Sequence, residues 1–145
     1  MFDFNVLKFF GINTRSGKVI HPLPAWWEFP SLGWVKSNTD GVVRGSPGLA
    51  TCGGIFCGNM EEFIGCFYAF LDVQTTLVVE FYGFIHAIKE AQKMDLTNIW
   101  LECDFALVCV AFGARTNVPW MLRNRRNTCL NYCGKIRFRV SHIFR

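Results

Sequence analysis

The chain has 145 residues, enough for one domain with a substantial core. Hydrophobic residues make up 51% and charged ones only 18%, which excludes a disordered chain, and no apolar run reaches the length of about eighteen residues that a membrane helix needs. The net charge of +4 is unevenly spread: all eleven acidic residues lie at or before Asp104, whereas eight of the fifteen basic ones follow it, a lopsidedness that suits a polyanionic partner.

Residues 1–32 are poorly periodic, with Pro22, Pro24 and Pro30 around "AWWEF", and read as an extended leader or linker ahead of a domain over 33–145. Nothing in "MFDFNVLKFFGIN" resembles a secretory leader, so an intracellular protein (nucleus or cytoplasm) is expected. Seven cysteines, an odd number, are scattered among apolar segments, away from His21, His86 and His142. That pattern favours buried thiols in a reducing compartment over zinc or a disulfide-linked partner.

From Gly33 the pattern tightens. "WVKSNTDGVV" predicts a first strand, "RGSPG" a turn, "LATCGGIFCG" a second strand and "EEFIGCFYAFL" a third, an antiparallel meander. Thr75 or Thr76 can cap a helix to about Met94. On it Tyr82, His86, Lys89 and Lys93 share a polar face, and Glu80, Gly83, Ala87 and Ala91 a small-residue face suited to packing on a sheet. "TNIWLECD" predicts a fourth strand and "FALVCVAFGA" an apolar helix. Pro119, in a first-turn position, opens a helix over "VPWMLRNRRNTCLNYC", and "KIRFRVSHIF" reads as a fifth strand. The order predicts an α/β fold.

Asp40 is the puzzle of the first strand. An aspartate is disfavoured there, and Asp40-Gly41 reads either as a hairpin turn or as part of a ligand site. Two more acids stand at telling places: Glu80 on the packing face of the first helix and Asp104 at the carboxyl end of the fourth strand. A structural role is open to each singly, Asp104 through the helix dipole and Glu80 by reaching water. Convergence of all three would instead demand protons or divalent cations, and hard oxygen donors suit Mg²⁺ or Mn²⁺.

"WVKSNTDG…GSPG…CGGIF", "VEFYGFIHAI", "NIWLECD" and "VSHIFR" resemble, in order and spacing, the plant ribonuclease H-like proteins, type 1 RNase H domains related to those of non-LTR retroelements. The resemblance covers roughly Gly33 to Arg145. It implies an RNase H-like fold: a five-stranded mixed sheet, a three-strand antiparallel meander plus two strands, with flanking helices. It implies Mg²⁺- or Mn²⁺-dependent cleavage of RNA in RNA–DNA hybrids, with nucleic acid as the partner; a monomer with no membrane partner is also expected. Asp40, Glu80 and Asp104 match the family's catalytic, metal-holding acids. By the same resemblance Gly41 on the first strand and the turn residues Arg44, Gly45, Ser46 and Gly48 approach the nucleic-acid backbone, Arg123 and Arg126 lie near phosphates, and Asn38 either contacts a sugar or satisfies a neighbour. His142 matches a histidine at the end of the fifth strand. The family's fourth carboxylate lies on a final helix, in a motif like "RE-N--AD", that would follow "VSHIFR". Its absence here implies impaired two-metal chemistry, with an inactive nucleic-acid-binding or protein-interaction remnant as the alternative.

Overall fold

The computed structural model describes residues 27–45, 47–113 and 118–143. Strands β1 (Val35–Gly45), β2 (Gly48–Cys57) and β3 (Phe63–Gln74) form the expected meander, helix α1 (Thr76–Lys93) follows, and then come β4 (Asn98–Cys103), α2 (Ala106–Gly113), α3 (Trp120–Cys133) and β5 (Arg137–His142). The five strands make one sheet in the order β3-β2-β1-β4-β5. β1–β2 and β2–β3 are antiparallel, whereas β4 runs parallel to both β1 and β5. This is the mixed sheet expected from the sequence.

Asp40-Gly41 is not a turn. Both residues lie within the β1–β2 ladder, Asp40 opposite Gly53, and the chain reverses between Gly45 and Gly48. Gly45 has φ +100°, and a Cβ on Gly48 would overlap the carbonyl of Arg44, so the reversal depends on glycine. Thr75 occupies the N-cap of α1 with an extended backbone, yet its side chain makes no capping hydrogen bond. Packing of the helix on the sheet, not a cap, fixes its start. Pro119 stands one position earlier than expected, at the N-cap of α3.

The principal core lies where α1, α2 and α3 meet the sheet. Phe56, Phe84, Ile85, Leu101, Val108 and Leu122 are fully buried there, and the rings of Phe84 and Phe112 tilt together at 5.1 Å. Each such side chain contributes about 1.5–3 kcal/mol by leaving water. The small-residue face of α1 is buried as expected, with Gly83 against Thr39 and Cys52. Tyr82 and His86 are half-buried: His86 stacks on Phe67, and the Arg125 guanidinium lies 5.4 Å from the Tyr82 ring.

A buried lysine organises the β1–β4 seam. Lys36 is 1% exposed, its Nζ 3.0 Å from Glu102 Oε1 and donating to the Glu28 carbonyl at 2.9 Å. The ammonium is flanked by the Trp27 and Trp100 rings, at 4.1 and 3.9 Å from their centroids. Ser141 Oγ donates to Glu102 Oε2 and accepts from Trp100 Nε1. Packing against the sheet therefore reaches back to Trp27, within the segment read as a leader. Of that segment, residues 1–26 lie outside the described residues.

Candidate metal centre

Strand register brings the first and third acids together. β1 and β4 pair in parallel with Val35 opposite Ile99 and Asn38 opposite Glu102. Two residues further along each strand come Asp40 and Asp104, so the same offset sets them side by side on strands spaced about 4.8 Å apart. Asp104 follows the last residue of β4, and its carbonyl lies 3.0 Å from His142 Nε2 at the end of β5.

The second acid arrives from α1, and Gly41 lets it in. A Cβ on Gly41 would stand 2.5 Å from Val79 Cγ1 and 3.3 Å from Glu80 Oε1, so the helix approaches β1 more closely than any side chain there would permit. Glu80 itself is only 5% exposed. Burial, and secondarily the Glu80 charge, pushes the neighbouring Cys52 thiol up to about 11.

Asp40, Glu80 and Asp104 thus each offer an oxygen, all within 4.8 Å of one another. Asp40 also accepts from the Gly41 amide at 2.9 Å, which orients its carboxylate. Two unit charges 4.8 Å apart repel by about 3 kcal/mol at an effective dielectric constant of about 20, and three acids make three such pairs. A divalent cation at their centre turns this repulsion into attraction. The donor set fits Mg²⁺ or Mn²⁺ in being all hard oxygen ligands. The donor set does not distinguish between these ions.

The positions read as nucleic-acid contacts are dispersed. Arg44, Gly45 and Gly48 stand at the exposed β1–β2 turn, about 13 Å along the strand from Asp40, and Ser46 lies outside the described residues. Gly41 is at the β1–α1 contact. Asn38 is half-buried, its Oδ1 enclosed without a hydrogen-bond partner among the described residues. Arg123 is exposed on α3, whereas Arg126 reaches the Ala111 carbonyl at 3.5 Å and Asn127 Oδ1 at 3.0 Å, tying α3 to α2. Glu102, two residues before Asp104 on β4, does not stand out in the sequence. Its alternation with Trp100, opposite Lys36, was the available signal.

Comparisons with known proteins identify the fold and the family. The RNase H1 of the archaeon Halobacterium salinarum superposes with a TM-score of 0.69 at 22% identity, covering 78% of this chain and 87% of that one. The N-terminal RNase H domain of a Mycobacterium tuberculosis protein gives 0.70 at 22%, covering 77% and 88%. LC11-RNase H1, solved in complex with an RNA/DNA hybrid, gives 0.67 at 19%, covering 77% and 86%. These similarities establish an RNase H-like fold. A protein of Arabidopsis thaliana named for ribonuclease H is 32% identical over 82 residues, 57% of this chain, and the chain spans only 13% of that relative's length. The model of the family described as reverse transcriptase-like matches residues 38–136, and the chain belongs to that ribonuclease H-like family.

Proposed function

We propose that this chain hydrolyses the RNA strand of RNA–DNA hybrids, with Asp40, Glu80 and Asp104 holding the required Mg²⁺ or Mn²⁺. The convergence of these acids from β1, α1 and the end of β4 carries the reading. An ion held there supplies Lewis-acid activation of the phosphodiester and of water. The chain's own residues supply the rest. The Gly41 amide holds Asp40 in orientation, the β1–α1 approach fixes Glu80, and the β1–β4 register fixes Asp104. Arg44 at the turn and Arg123 on α3 offer cations for phosphates, and the Gly45 and Gly48 backbone permits close approach. Half-buried Asn38, with its Oδ1 enclosed, is assigned a sugar contact by resemblance alone, and Arg126 supports α3.

A labelled RNA–DNA hybrid, with duplex DNA and duplex RNA as controls, tests the reading in Mg²⁺ and in Mn²⁺. RNA-strand cleavage that fails with Asp40→Asn is the expected result. Hybrid binding without cleavage by the unaltered chain would leave a binding module only, and absence of both would overturn the proposal.

A further inference from the structure

Two thiols face each other across the corner where β4 passes into α2. Cys103 ends β4 and is 1% exposed; Cys109 lies in α2 and is half-buried; their sulfurs are 3.5 Å apart. Both are further held by weak contacts to backbone carbonyls, Cys103 Sγ to Phe105 at 3.6 Å and Cys109 Sγ to Ser141 at 3.4 Å. The pairing therefore joins two elements and is braced by a third, β5. A disulfide needs a sulfur separation of about 2.05 Å, a closure of about 1.5 Å. α2 is a helix of eight residues with one face open, Leu107 being 62% and Val110 48% exposed, and the half-buried Cys109 is the sulfur of the pair nearer solvent.

We propose that Cys103 and Cys109 are a reversible dithiol–disulfide couple, oxidised by hydrogen peroxide, that staples α2 to the end of β4. The half-buried Cys109 sulfur, as thiolate, attacks one peroxide oxygen; the O–O bond breaks, hydroxide leaves and takes a proton to become water, and Cys109 becomes a sulfenic acid. Cys103 sulfur then attacks Cys109 sulfur. The S–S bond forms, the S–O bond breaks, and the Cys103 proton leaves with the hydroxyl as a second water. Two electrons pass from the sulfurs to the peroxide. A small dithiol reverses the change through two exchanges and departs as its own cyclic disulfide.

The staple closes over Asp104 and Phe105, so it sets the position of one of the three acids. That consequence for catalysis rests on the nuclease reading; the couple itself does not.

Mass spectrometry of the full chain decides the matter without reference to activity. The folded protein is treated with hydrogen peroxide, free thiols are alkylated, and the chain is cut with trypsin. The peptide from Met94 to Arg115 contains Cys103 and Cys109 and no other cysteine. Expected is a peptide carrying neither alkyl group and lighter by two hydrogens than the reduced form, with both alkylation sites restored by dithiothreitol. In Cys103→Ser the two-hydrogen loss should vanish. Retention of both alkyl groups after peroxide, or a disulfide from either residue to another cysteine, would overturn the proposal.

Discussion

Replacing Gly41 by alanine tests whether the approach of α1 to β1 builds the metal centre. The added Cβ would stand 2.5 Å from Val79 Cγ1, against an ordinary carbon contact of about 3.5–4.0 Å, an overlap of about 1 Å. Val79 is fully buried and, being β-branched in a helix, cannot rotate aside cheaply. The helix must lift, at a cost of about 1–3 kcal/mol, and Glu80 lifts with it. Val79→Ala alone removes the obstructing methyl but leaves a cavity, costing on the order of 2 kcal/mol. In the double variant the alanine at 41 enters the vacated space, so its loss should fall at least about 1 kcal/mol short of the sum of the single losses. Urea unfolding followed by circular dichroism supplies the three stabilities, and Mn²⁺ titration reports the cluster. Affinity for the ion should drop in Gly41→Ala and recover in the double variant. Additive stabilities within about 0.5 kcal/mol, or Mn²⁺ affinity indifferent to Gly41→Ala, would refute this account of how Glu80 is placed.

Other expected outcomes concern the surroundings of the site. Lys36→Met leaves Glu102 buried without its cation and should cost about 3–5 kcal/mol in urea unfolding, most of it regained when Glu102→Leu is added. Arg123→Ala should leave stability within about 0.5 kcal/mol while weakening hybrid binding and lowering its salt slope by about 1, measured by fluorescence anisotropy over a range of salt concentrations. Alkaline pH should destabilise the fold. Burial pushes Cys52 and Cys129 up to about 11 and Cys133 up to about 12, from an ordinary 9.0. The unfolded chain therefore releases these protons first, and the stability that the neutral thiols contribute, intact below pH 9, is lost as pH rises through 11–12. The slope is on the order of 1 kcal/mol per pH unit for each thiol, read from thermal melts of the reduced protein.

Much of this architecture is legible in the sequence because the periods are clean. Alternation over "WVKSNTD" and the four-residue recurrence of Gly83, Ala87 and Ala91 identify a strand and a sheet-packing helix face, and they place Glu80 inward. The full extent of β3 is less visible. It runs to Gln74 through Asp72, which has φ +54°, and the ladder slips between Leu49 and Thr51, so the strand continues beyond the alternating stretch by way of an irregularity. The burial of Lys36 is hidden for another reason. Lysine is ordinarily solvated, and only the β1–β4 register reveals that a carboxylate and an indole await it. Pairing of Cys103 with Cys109 depends on the angle at which α2 leaves the sheet, which no residue spacing encodes. The arginines show the reverse difficulty: Arg123 and Arg126 look equivalent three residues apart, yet one is exposed and the other braces two helices.

The two acids that close β4 illustrate how neighbouring carboxylates acquire different work. Glu102 and Asp104 are two residues apart, opposite Asn38 and beside Asp40 respectively, and a strand would direct both to the same face. Glu102 is matched within the sheet: Lys36 at 3.0 Å supplies the opposite charge and the Ser141 hydroxyl binds the other oxygen. Its contribution is fixed and structural, because withdrawing either partner would strand a charge away from water. Asp104, just past the strand end, instead joins Asp40 and Glu80, and in the proposed function a divalent cation would relieve their mutual repulsion. Two residues along a single strand thus separate an acid compensated within the sheet from one that the proposed function assigns to a cation. Lys36 is what makes the difference at position 102, since without it Glu102 would be a buried carboxylate with no cation beside it.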